Sequence, residues 1–317
     1  MDPEGPVTVT GTGEEGGGLT LRTRLRAFAD LARIHFLPVW PLVFCSGLAL
    51  SAEVYGGFTW SLAARAVAMA ACGFTAGLIL NDYIDRDLDR RDVSPVFSRY
   101  WRPFGTRPIP SGTVQPWEAL ALFLALAAAA TALALTFPWP RPAWLIGLGL
   151  YSYCVEAFYQ VAKRRQRFPF AQLVGRTDFA LFPVAGYLCL GYPDALALRF
   201  FLAFYPWTLV HLAVNDLADL ENDRARGLAT IPVLYGTRGT AAWIGGWAAL
   251  HLVAGAFFYP LLGPVPLAAW AAASLLLIIV VGRILADPVP EKGLALLPVL
   301  HLSLLISSLG ILAGATL

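Results

Sequence analysis

Apolar stretches long enough to cross a membrane follow one another along nearly the whole chain. They begin near residue 32 and recur to the C-terminus, each close to the ~20 residues that a helix needs to span a bilayer. Hydrophobic residues make up 57% of the 317 residues and charged residues only 14%, unlike a soluble domain. We therefore predict an all-α polytopic membrane protein, with nine transmembrane helices in a bundle around a central cavity. The predicted helices lie at about residues 32–52, 59–82, 116–137, 142–162, 169–191, 197–219, 240–260, 264–285 and 294–315.

The N-terminal 20 residues have a different composition, rich in Gly, Glu and Thr. They offer little apolar surface to bury, so we predict a disordered tail at residues 1–20. The tail is acidic and lacks a short apolar core with a cleavage site, which argues against a signal peptide. Residues 21–317 are predicted to form a single intramembrane domain.

Basic residues are concentrated in every second connection between the predicted helices. Most of the 23 Lys and Arg residues precede the first helix or follow the second, fourth, sixth and eighth. The positive-inside rule makes that side cytoplasmic, with the N-terminus inside, and predicts an integral protein of the cell inner membrane. The net charge of +2 reflects this orientation, and we expect no nucleic-acid partner.

One acidic pattern occurs twice, at the predicted cytoplasmic ends of helices two and six. Residues 81–89 (the first acidic repeat) read NDYIDRDLD, and residues 215–223 (the second acidic repeat) read NDLADLEND. On a helix the three spaced aspartates of each repeat, at i, i+3 and i+7, share one face, where like charges repel. Each face therefore requires cations, and two facing repeats would hold divalent metal ions and, through them, a diphosphate. The aspartates are Asp82, Asp85 and Asp89 in the first repeat and Asp216, Asp219 and Asp223 in the second.

With these two repeats, the chain resembles the UbiA superfamily of intramembrane prenyltransferases. The N-D-x-x-D-x-x-x-D pattern that closes the second helix, the D-x-x-D-x-x-x-D pattern that closes the sixth, and the nine-helix count are similar to that family. Further similar segments follow in the family's order: RPIPSG at 107–112, YQVAKR at 159–164, ENDRARG at 221–227 and IPVLYG at 231–236. Together these motifs are specific, although each alone is weak. The resemblance spans about residues 30–317.

The resemblance implies an enzyme that transfers a prenyl group from a polyprenyl diphosphate to a polar acceptor, with an aromatic acceptor as one option. Such an enzyme would work within membrane lipid, in lipid or quinone biosynthesis, with its active site near the cytoplasmic face. Two Mg²⁺ ions would stabilise the departing diphosphate as Lewis acids. The implied metal ligands are Asn81 with Asp85 for one ion and Asp219 with Asp223 for the other, with Asp82, Asp89 and Asp216 completing or orienting the ligand shells.

Basic residues near the repeats are implied to bind the diphosphate oxygens directly. They are Arg107 and Lys163, together with Arg90 and Arg224. Tyr159, one turn before Lys163, would bind a phosphate or steady the lysine. The chain departs from the family between residues 89 and 107, where about ten additional residues with aromatic side chains and Arg could form a short amphipathic cap.

Three charged residues lie within predicted membrane helices outside the repeats: Glu156, Arg176 and Asp178. Charges at such depth normally face the protein interior and a partner. Glu156 is seven residues before Lys163 on the same helix face and about 10 Å deeper, so we predict that it helps to bind or deprotonate the acceptor with Arg176 or Asp178. A purely structural Glu156–Arg176 pair is the alternative. His211, four residues before Asn215, is expected to make a helix–helix hydrogen bond.

Two other functions remain open at the level of the sequence. A membrane terpene cyclase would use the same diphosphate machinery but would quench the cation within its own chain. It would need no polar acceptor pocket, which is the feature that distinguishes it from a transferase. An ion-coupled transporter would show repeats of several helices broken in mid-membrane, whereas the acidic repeat here lies at the membrane edge. The oligomeric state is open.

Overall fold

Residues 20–315 are described in a computed structural model of the protein. The tail predicted at residues 1–20 therefore lies outside the described residues except for Thr20, whose hydroxyl caps the first helix by accepting from Thr23 N at 3.2 Å. As predicted, the described elements are helical. The helices are α1 Leu21–Leu31, α2 Val39–Tyr55, α3 Trp60–Asp89, α4 Val96–Trp101, α5 Pro116–Ala134, α6 Arg141–Ala162, α7 Phe170–Gly175, α8 Thr177–Tyr187, α9 Ala195–Ala218, α10 Leu220–Arg226, α11 Ile231–Phe258, α12 Pro264–Ala286 and α13 Pro290–Gly314.

Seven helical segments within residues 20–315 are long and apolar enough to cross a membrane. They are Ile34–Tyr55, Trp60–Asp89, Pro116–Ala134, Ala195–Ala218, Ile231–Leu262, Pro264–Ala286 and Pro290–Gly314. The predicted fourth span forms a helix of sufficient length, α6, but its polar side chains keep it out of this group. The predicted fifth span is not one helix, because the chain is divided at Arg176 into the short helices α7 and α8.

The two acidic repeats end their helices differently. The first repeat lies in the last turns of α3, which continues without a break to Asp89. The second repeat crosses the boundary between α9 and α10, where Asp219 leaves the helical conformation with φ −102° and ψ 13°. The shared helix face predicted for Asp216, Asp219 and Asp223 is therefore interrupted, although all three side chains still line one cavity.

Glycine allows the helices around this cavity to pack closely. A Cβ on Gly47 of α2 would lie 1.8 Å from the Pro183 oxygen, and one on Gly186 of α8 would lie 1.8 Å from the Phe44 oxygen. The backbones of α2 and α8 thus touch where they cross, and no side chain larger than hydrogen fits there. This crossing brings Phe179 of α8 to within 5.5 Å of the Trp40 ring of α2.

The additional residues 90–106 form a compact cap that contains α4. The backbone N–H groups of Val93 and Ser94 both donate to Asn222 Oδ1 at 2.9 Å, which ties the cap to α10. At its other end, the N–H groups of Phe104 and Thr106 donate to the buried Asp30 carboxylate of α1. The cap is therefore held at both ends by buried polar contacts, and its α4 faces the cavity.

Candidate active site

A cavity of about 530 Å³ lies among the helices that carry the two acidic repeats. Its polar end is lined by Asn81, Asp85, Asp89, Asp216, Asp219, Asp223, Arg33, Arg102, Arg107, Lys163 and Arg226. The remainder is lined mainly by apolar and aromatic side chains, including Trp40, Phe44, Phe74, Phe179 and Phe182. A single space thus joins a densely charged end to an apolar end.

In the first repeat, Asp85 and Asp89 each meet two basic groups. Lys163 Nζ lies 2.7 Å from one oxygen of Asp85, and Arg164 lies 3.2 Å from the other. Arg107 forms a 2.5 Å salt bridge to Asp89. Both aspartates are almost fully buried, so the cations supply the charge compensation that burial requires.

Asp82 is also paired, but away from the cavity. Its two oxygens receive Arg33 at 2.8 Å and Arg102 at 2.7 Å, and the Asp82 side chain is only 4% exposed. Asp82 is not among the described residues that line the cavity. It therefore connects α3 to the α1–α2 connection and to the cap, and the metal-binding role predicted for Asp82 is not supported by its position.

The second repeat has fewer cations. Asp219 accepts from Asn222 Nδ2 at 2.6 Å, and Asp223 accepts from the Thr230 hydroxyl at 2.8 Å. Asp216 is buried, and its Oδ2 has no hydrogen-bond partner among the described residues. Burial and then the neighbouring Asp219 and Asp216 carboxylates raise the pKa of Asp223 well above its usual value. Such crowding of carboxylates favours binding of a cation.

Arg226 bridges the two repeats. Its guanidinium lies 3.3 Å from Asp219 and 3.8 Å from Asp223, and on its other side 3.5 Å from Asp89. It also forms a salt bridge to Asp92 of the cap. Burial lowers the pKa of Arg226, but these carboxylates outweigh burial and raise it overall. One buried arginine thus holds four acidic side chains around the polar end of the cavity.

Lys163 and Tyr159 lie together at the end of α6. Lys163 Nζ is 4.9 Å from the centre of the Tyr159 ring, and the Arg176 guanidinium is 5.7 Å from the same centre. A Cβ on Gly175 would lie 2.8 Å from the Tyr159 ring, so a glycine at the end of α7 makes room for the tyrosine. The aromatic face accordingly steadies two cations that line the cavity.

Comparison with known proteins identifies the family. The profile of the UbiA prenyltransferase family matches residues 39–307. The chain belongs to the UbiA prenyltransferase family. The matched region contains both acidic repeats, the cap and every residue that lines the cavity except Arg33.

Individual relatives match at about 30% identity. The protoheme IX farnesyltransferase of Aquifex aeolicus is 30% identical over 178 residues, which are 56% of this chain and 55% of that protein. The chain thus spans little more than half the length of that relative. The 4-hydroxybenzoate octaprenyltransferase of Aeromonas hydrophila is 31% identical over 224 residues, 69% of this chain and 71% of that protein.

Solved structures of UbiA homologues share the fold. The apo homologue from Aeropyrum pernix K1 superposes with a TM-score of 0.68 at 22% identity, covering 87% of this chain and 95% of that one. The Archaeoglobus fulgidus homologue bound to DMAPP and Mg²⁺ superposes with a TM-score of 0.62 at 15% identity, covering 90% and 99%. At these identities the likeness establishes the fold.

The polar end of the cavity contains the types of ligand atom that a hard divalent cation prefers. Within residues 20–315, no three His, Cys, Asp or Glu side chains form a ready-made metal centre, and several of the cavity carboxylates contact Lys or Arg instead. The candidate ligands from the acidic repeats that line the polar end are nevertheless carboxylates and the Asn81 amide, the kinds of oxygen ligand that Mg²⁺ prefers. The unpartnered Asp216 Oδ2 is an open ligand position. The residues therefore fit a metal that would displace some of these salt bridges.

Glu156, Arg176 and Asp178 all line the cavity, but no salt bridge joins Glu156 to Arg176 among the described residues. Glu156 instead accepts from the Asn81 amide at 2.7 Å and also from Gln160. The predicted alternative of a Glu156–Arg176 pair is therefore wrong. The Arg176 Nε is buried without a hydrogen-bond partner in the part of the chain that is described.

Two predicted diphosphate-binding residues lie outside the cavity. Arg90 is 60% exposed and 3.9 Å from the exposed Asp87. Arg224 is exposed, whereas Arg226, which was not among the predicted diphosphate-binding residues, is buried and lines the cavity. Arg226 follows Asp223 by three residues and so returns to the same helix face, while Arg224 does not. Helical spacing from the second repeat was the signal that could have identified Arg226.

Proposed function

We propose that this protein transfers a prenyl group from a polyprenyl diphosphate to a polar acceptor within the membrane, with Mg²⁺ as cofactor. The observation that supports this function is the single cavity with a charged end and an apolar end. A diphosphate would occupy the charged end, and its isoprenoid tail would extend among the aromatic side chains. Membership of the UbiA prenyltransferase family and the prenyl diphosphate in the name of a ligand-bound homologue agree with this assignment.

Two Mg²⁺ ions would be held by Asn81 with Asp85 and by Asp219 with Asp223. Bound there, Mg²⁺ supplies Lewis-acid stabilisation of the diphosphate as the allylic C–O bond breaks. Asp89 and Asp216 would complete or orient the ligand shells. Asn81 is already aimed for this role, because its amide nitrogen donates to Glu156 and its amide oxygen is left for a ligand.

Basic side chains would bind the diphosphate and neutralise its developing charge. Lys163, Arg107 and Arg226 each line the cavity and already contact a carboxylate of the acidic repeats. When metal ions take over those carboxylates, the basic groups become free to bind diphosphate oxygens. Tyr159 would hold Lys163 in place through its ring. In the absence of metal, the basic side chains that would bind the diphosphate are thus paired with carboxylates of the acidic repeats.

The membrane arrangement that goes with this function has nine spans, with α6 and the broken pair α7–α8 completing the seven apolar segments. Both acidic repeats would lie near the cytoplasmic face of the cell inner membrane, because the basic connections cluster on that side. Glu156 and Arg176 are charged, yet a helix that lines a polar cavity can carry such residues through a bilayer.

The metal-binding role is tested by Asp85→Ala and Asp219→Ala, each of which removes a ligand from a different proposed ion. We expect loss of measurable turnover at saturating Mg²⁺ in both variants, with an elution profile that shows both proteins to be folded. The control is Asp87→Ala, because Asp87 is 69% exposed and outside the cavity and should retain full activity. Substantial turnover by either cavity variant would contradict the two-ion site.

Product analysis by mass spectrometry tests the reaction itself. Prenyl diphosphates of several lengths would be supplied with and without a membrane extract. A prenylated adduct that forms only with extract is expected for a transferase. A hydrocarbon or terpene alcohol formed without extract would instead assign a terpene cyclase on the same scaffold.

A further inference from the structure

His211 of α9 lines the cavity and has one ring nitrogen without a partner. The side chain is buried, with 5% exposure, and its Nδ1 makes no hydrogen bond among the described residues. Leaving a buried polar atom unpaired is costly, so this nitrogen indicates a ligand. The kind of ligand depends on whether Nδ1 carries a proton, and the neighbouring side chains determine this.

The amide of Asn215 is oriented by two neighbours that agree. The indole Nε1–H of Trp101 can only donate and lies 3.1 Å from one amide atom, which must be the oxygen. The main-chain oxygen of His211 can only accept and lies 2.7 Å from the other amide atom, which must be the nitrogen. Asn215 therefore presents its NH₂ group to His211.

This orientation fixes the protons of two histidines. The Asn215 nitrogen is 3.2 Å from His211 Nε2, and since an amide nitrogen only donates, that Nε2 is an acceptor without a proton. His301 Nε2 is 2.9 Å from the same atom and must also be a donor, so the two N–H groups share the one lone pair of His211 Nε2. His301 Nδ1 then accepts from the Tyr100 hydroxyl at 2.7 Å. In this series of hydrogen bonds, from Tyr100 through His301 to His211 Nε2, each donor meets an acceptor.

The surroundings favour a neutral imidazole. His211 stacks on the Trp207 ring at 5.3 Å and lies 5.0 Å from the His301 ring, and both histidines are buried. A buried charge without a counter-ion is costly. A neutral ring whose Nε2 is unprotonated carries its proton on Nδ1. His211 therefore presents an unpartnered N–H to the cavity.

We propose that His211, held as the Nδ1–H tautomer by Trp101 acting through Asn215, donates a hydrogen bond to an oxygen of the acceptor substrate and so determines acceptor specificity. This inference rests on the transferase function proposed above. The matching ligand carries a carbonyl or carboxylate oxygen. Because its Nδ1 is already protonated, His211 in this tautomer is a hydrogen-bond donor and not a general base.

Other residues that line the same cavity also carry side-chain donors without partners within residues 20–315, and two of these donors belong to neighbours of Phe179 in space or in sequence. They are Trp40 Nε1 and Arg176 Nε. The Phe179 ring lies 5.5 Å from the Trp40 ring and 5.9 Å from the His211 ring, and Arg176 precedes Phe179 by three residues. The aromatic part of the cavity thus offers several N–H groups around one phenylalanine, as an oxygen-bearing head group requires.

The cap determines the tautomer. Trp101, which orients Asn215, and Tyr100, which donates to His301, both belong to α4. The cap residues 90–106, which the sequence identified as additional to the family pattern, therefore reach the acceptor through hydrogen bonds. Without the Trp101 indole N–H, the Asn215 amide loses one of the two contacts that set its orientation.

The tautomer can be measured directly. The chain has four histidines, so long-range ¹H–¹⁵N correlation spectra of ¹⁵N-histidine-labelled protein in detergent can be assigned with single-histidine variants. We expect His211 to be protonated at Nδ1 alone, and Trp101→Phe to populate the Nε2–H tautomer. Finding His211 protonated at Nε2 in the unsubstituted protein would overturn the inference.

Binding is tested with two variants, each of which replaces only one of the two imidazole nitrogens. The amide of His211→Gln reaches the position of Nε2 and preserves the contact with His301, whereas the amide of His211→Asn reaches the position of Nδ1. The probes are 4-hydroxyacetophenone, which has a carbonyl, 4-hydroxybenzoate, which has a carboxylate, and 4-isopropenylphenol, which has neither but a similar shape. Calorimetry in the presence of Mg²⁺ and geranyl diphosphate measures each dissociation constant.

We expect the unsubstituted protein to prefer a carbonyl or carboxylate probe over 4-isopropenylphenol by about tenfold, the contribution of one hydrogen bond. His211→Gln should abolish this preference and His211→Asn should retain it, while geranyl diphosphate binds all three proteins equally. Whichever of the carbonyl and carboxylate probes has the lower dissociation constant identifies the acceptor class. Equal affinity for all three probes, no binding of any probe, or a preference unchanged in His211→Gln would each overturn the inference. Failure of geranyl diphosphate to bind the unsubstituted protein would instead contradict the proposed function.

Discussion

The two acidic repeats have the same sequence pattern but different electrostatic surroundings. In the first repeat each spaced aspartate has its own basic partners: Asp82 contacts Arg33 and Arg102, Asp85 contacts Lys163 and Arg164, and Asp89 contacts Arg107 and Arg226. In the second repeat, Arg226 is the single basic side chain within salt-bridge distance of Asp219 and Asp223, and no salt bridge reaches Asp216 among the described residues.

This difference indicates which half of the site supplies basic groups and which half supplies carboxylates for a metal ion. Basic groups that could bind a diphosphate lie beside the first repeat, and each of them forms a salt bridge to one of its carboxylates. The second repeat has fewer cations beside its carboxylates, and burial raises the pKa values of Asp219 and Asp223. We therefore expect the second repeat to bind Mg²⁺ at lower concentration than the first, because a hard cation gains more where less charge is already compensated.

The largest expected effect separates two residues at matching positions of the repeats, Asp216 and Asp82. Asp216→Asn should reduce turnover by about 10²–10³-fold, the effect of removing one well-placed electrostatic group, with little change in stability. Asp82→Asn should instead lower the free energy of unfolding by about 3–5 kcal/mol, because it leaves the buried Arg33 and Arg102 unpaired. Thermal unfolding and turnover of both variants measure the contrast.

Reversed outcomes would remove the basis for treating the two repeats differently. An unstable Asp216→Asn would show that its free oxygen has a structural partner. A stable but inactive Asp82→Asn would return Asp82 to the metal ligands that the sequence pattern predicted.

Arg226 joins the two repeats, and Arg224 is its natural control. Arg226→Gln should reduce turnover by about 10²-fold, because it removes a cation from the diphosphate end and leaves four carboxylates less compensated. Arg224→Gln, two residues away and exposed, should remain within about twofold of the unsubstituted protein. Equal losses in both variants would indicate that this helix supplies only general positive charge.

The sequence predicted the all-helical class, because its apolar runs and repeat positions follow from helical periodicity and bilayer thickness. It did not predict the break at Arg176 or the change of direction at Asp219. Both occur near tertiary contacts: the Thr208 hydroxyl donates to the Arg176 carbonyl at 3.3 Å, and Asn222, three residues after Asp219, accepts from the backbone N–H groups of Val93 and Ser94 in the cap. Contacts between distant residues leave no periodic signal in one sequence.

The residues that line the cavity were predictable where they fall within motifs or, as with Glu156, Arg176 and Asp178, where a charge lies within a predicted membrane helix. Asp85, Asp219 and Lys163 lie in patterned segments and line the cavity. Arg33 and Arg102 lie in segments without a recognisable pattern. The buried Asp82 pairs with both of them, whereas the acidic repeat had predicted a metal-binding role for Asp82. The His211–His301 contact confirms the expected helix–helix hydrogen bond, but its donor direction depends on Trp101, more than 100 residues away.

Lys163 tests whether the basic groups of the first repeat bind diphosphate. Lys163→Ala should raise the KM for the prenyl diphosphate by about tenfold or more, which corresponds to about 1.5–3 kcal/mol for a charged hydrogen bond. Lys163→Arg keeps the charge and should recover part of this affinity. Steady-state kinetics at saturating Mg²⁺ measure both. Unchanged kinetics in Lys163→Ala would leave the residue as a membrane-orientation charge that pairs with Asp85.

The smallest expected effect concerns Glu156, which links the first repeat to the acceptor region. Because the Asn81 amide donates to Glu156 at 2.7 Å, Glu156 orients the Asn81 oxygen toward the proposed metal. Glu156→Gln keeps an acceptor oxygen and should raise the Mg²⁺ concentration for half-maximal activity by only about 2–5-fold. Glu156→Met, which has no strong acceptor, should raise it by about tenfold, as expected for a residue that orients a metal ligand.

The same two variants decide between this role and the one predicted from depth in the membrane. If Glu156 binds or deprotonates the acceptor, Glu156→Gln should lower transfer at saturating Mg²⁺ and leave the affinity for prenyl diphosphate unchanged. If it orients Asn81, saturating Mg²⁺ should restore transfer in both variants, because excess metal compensates for a weaker site. Measuring transfer as a function of Mg²⁺ concentration separates the two roles, since only the loss of an acceptor contact persists when the metal sites are filled.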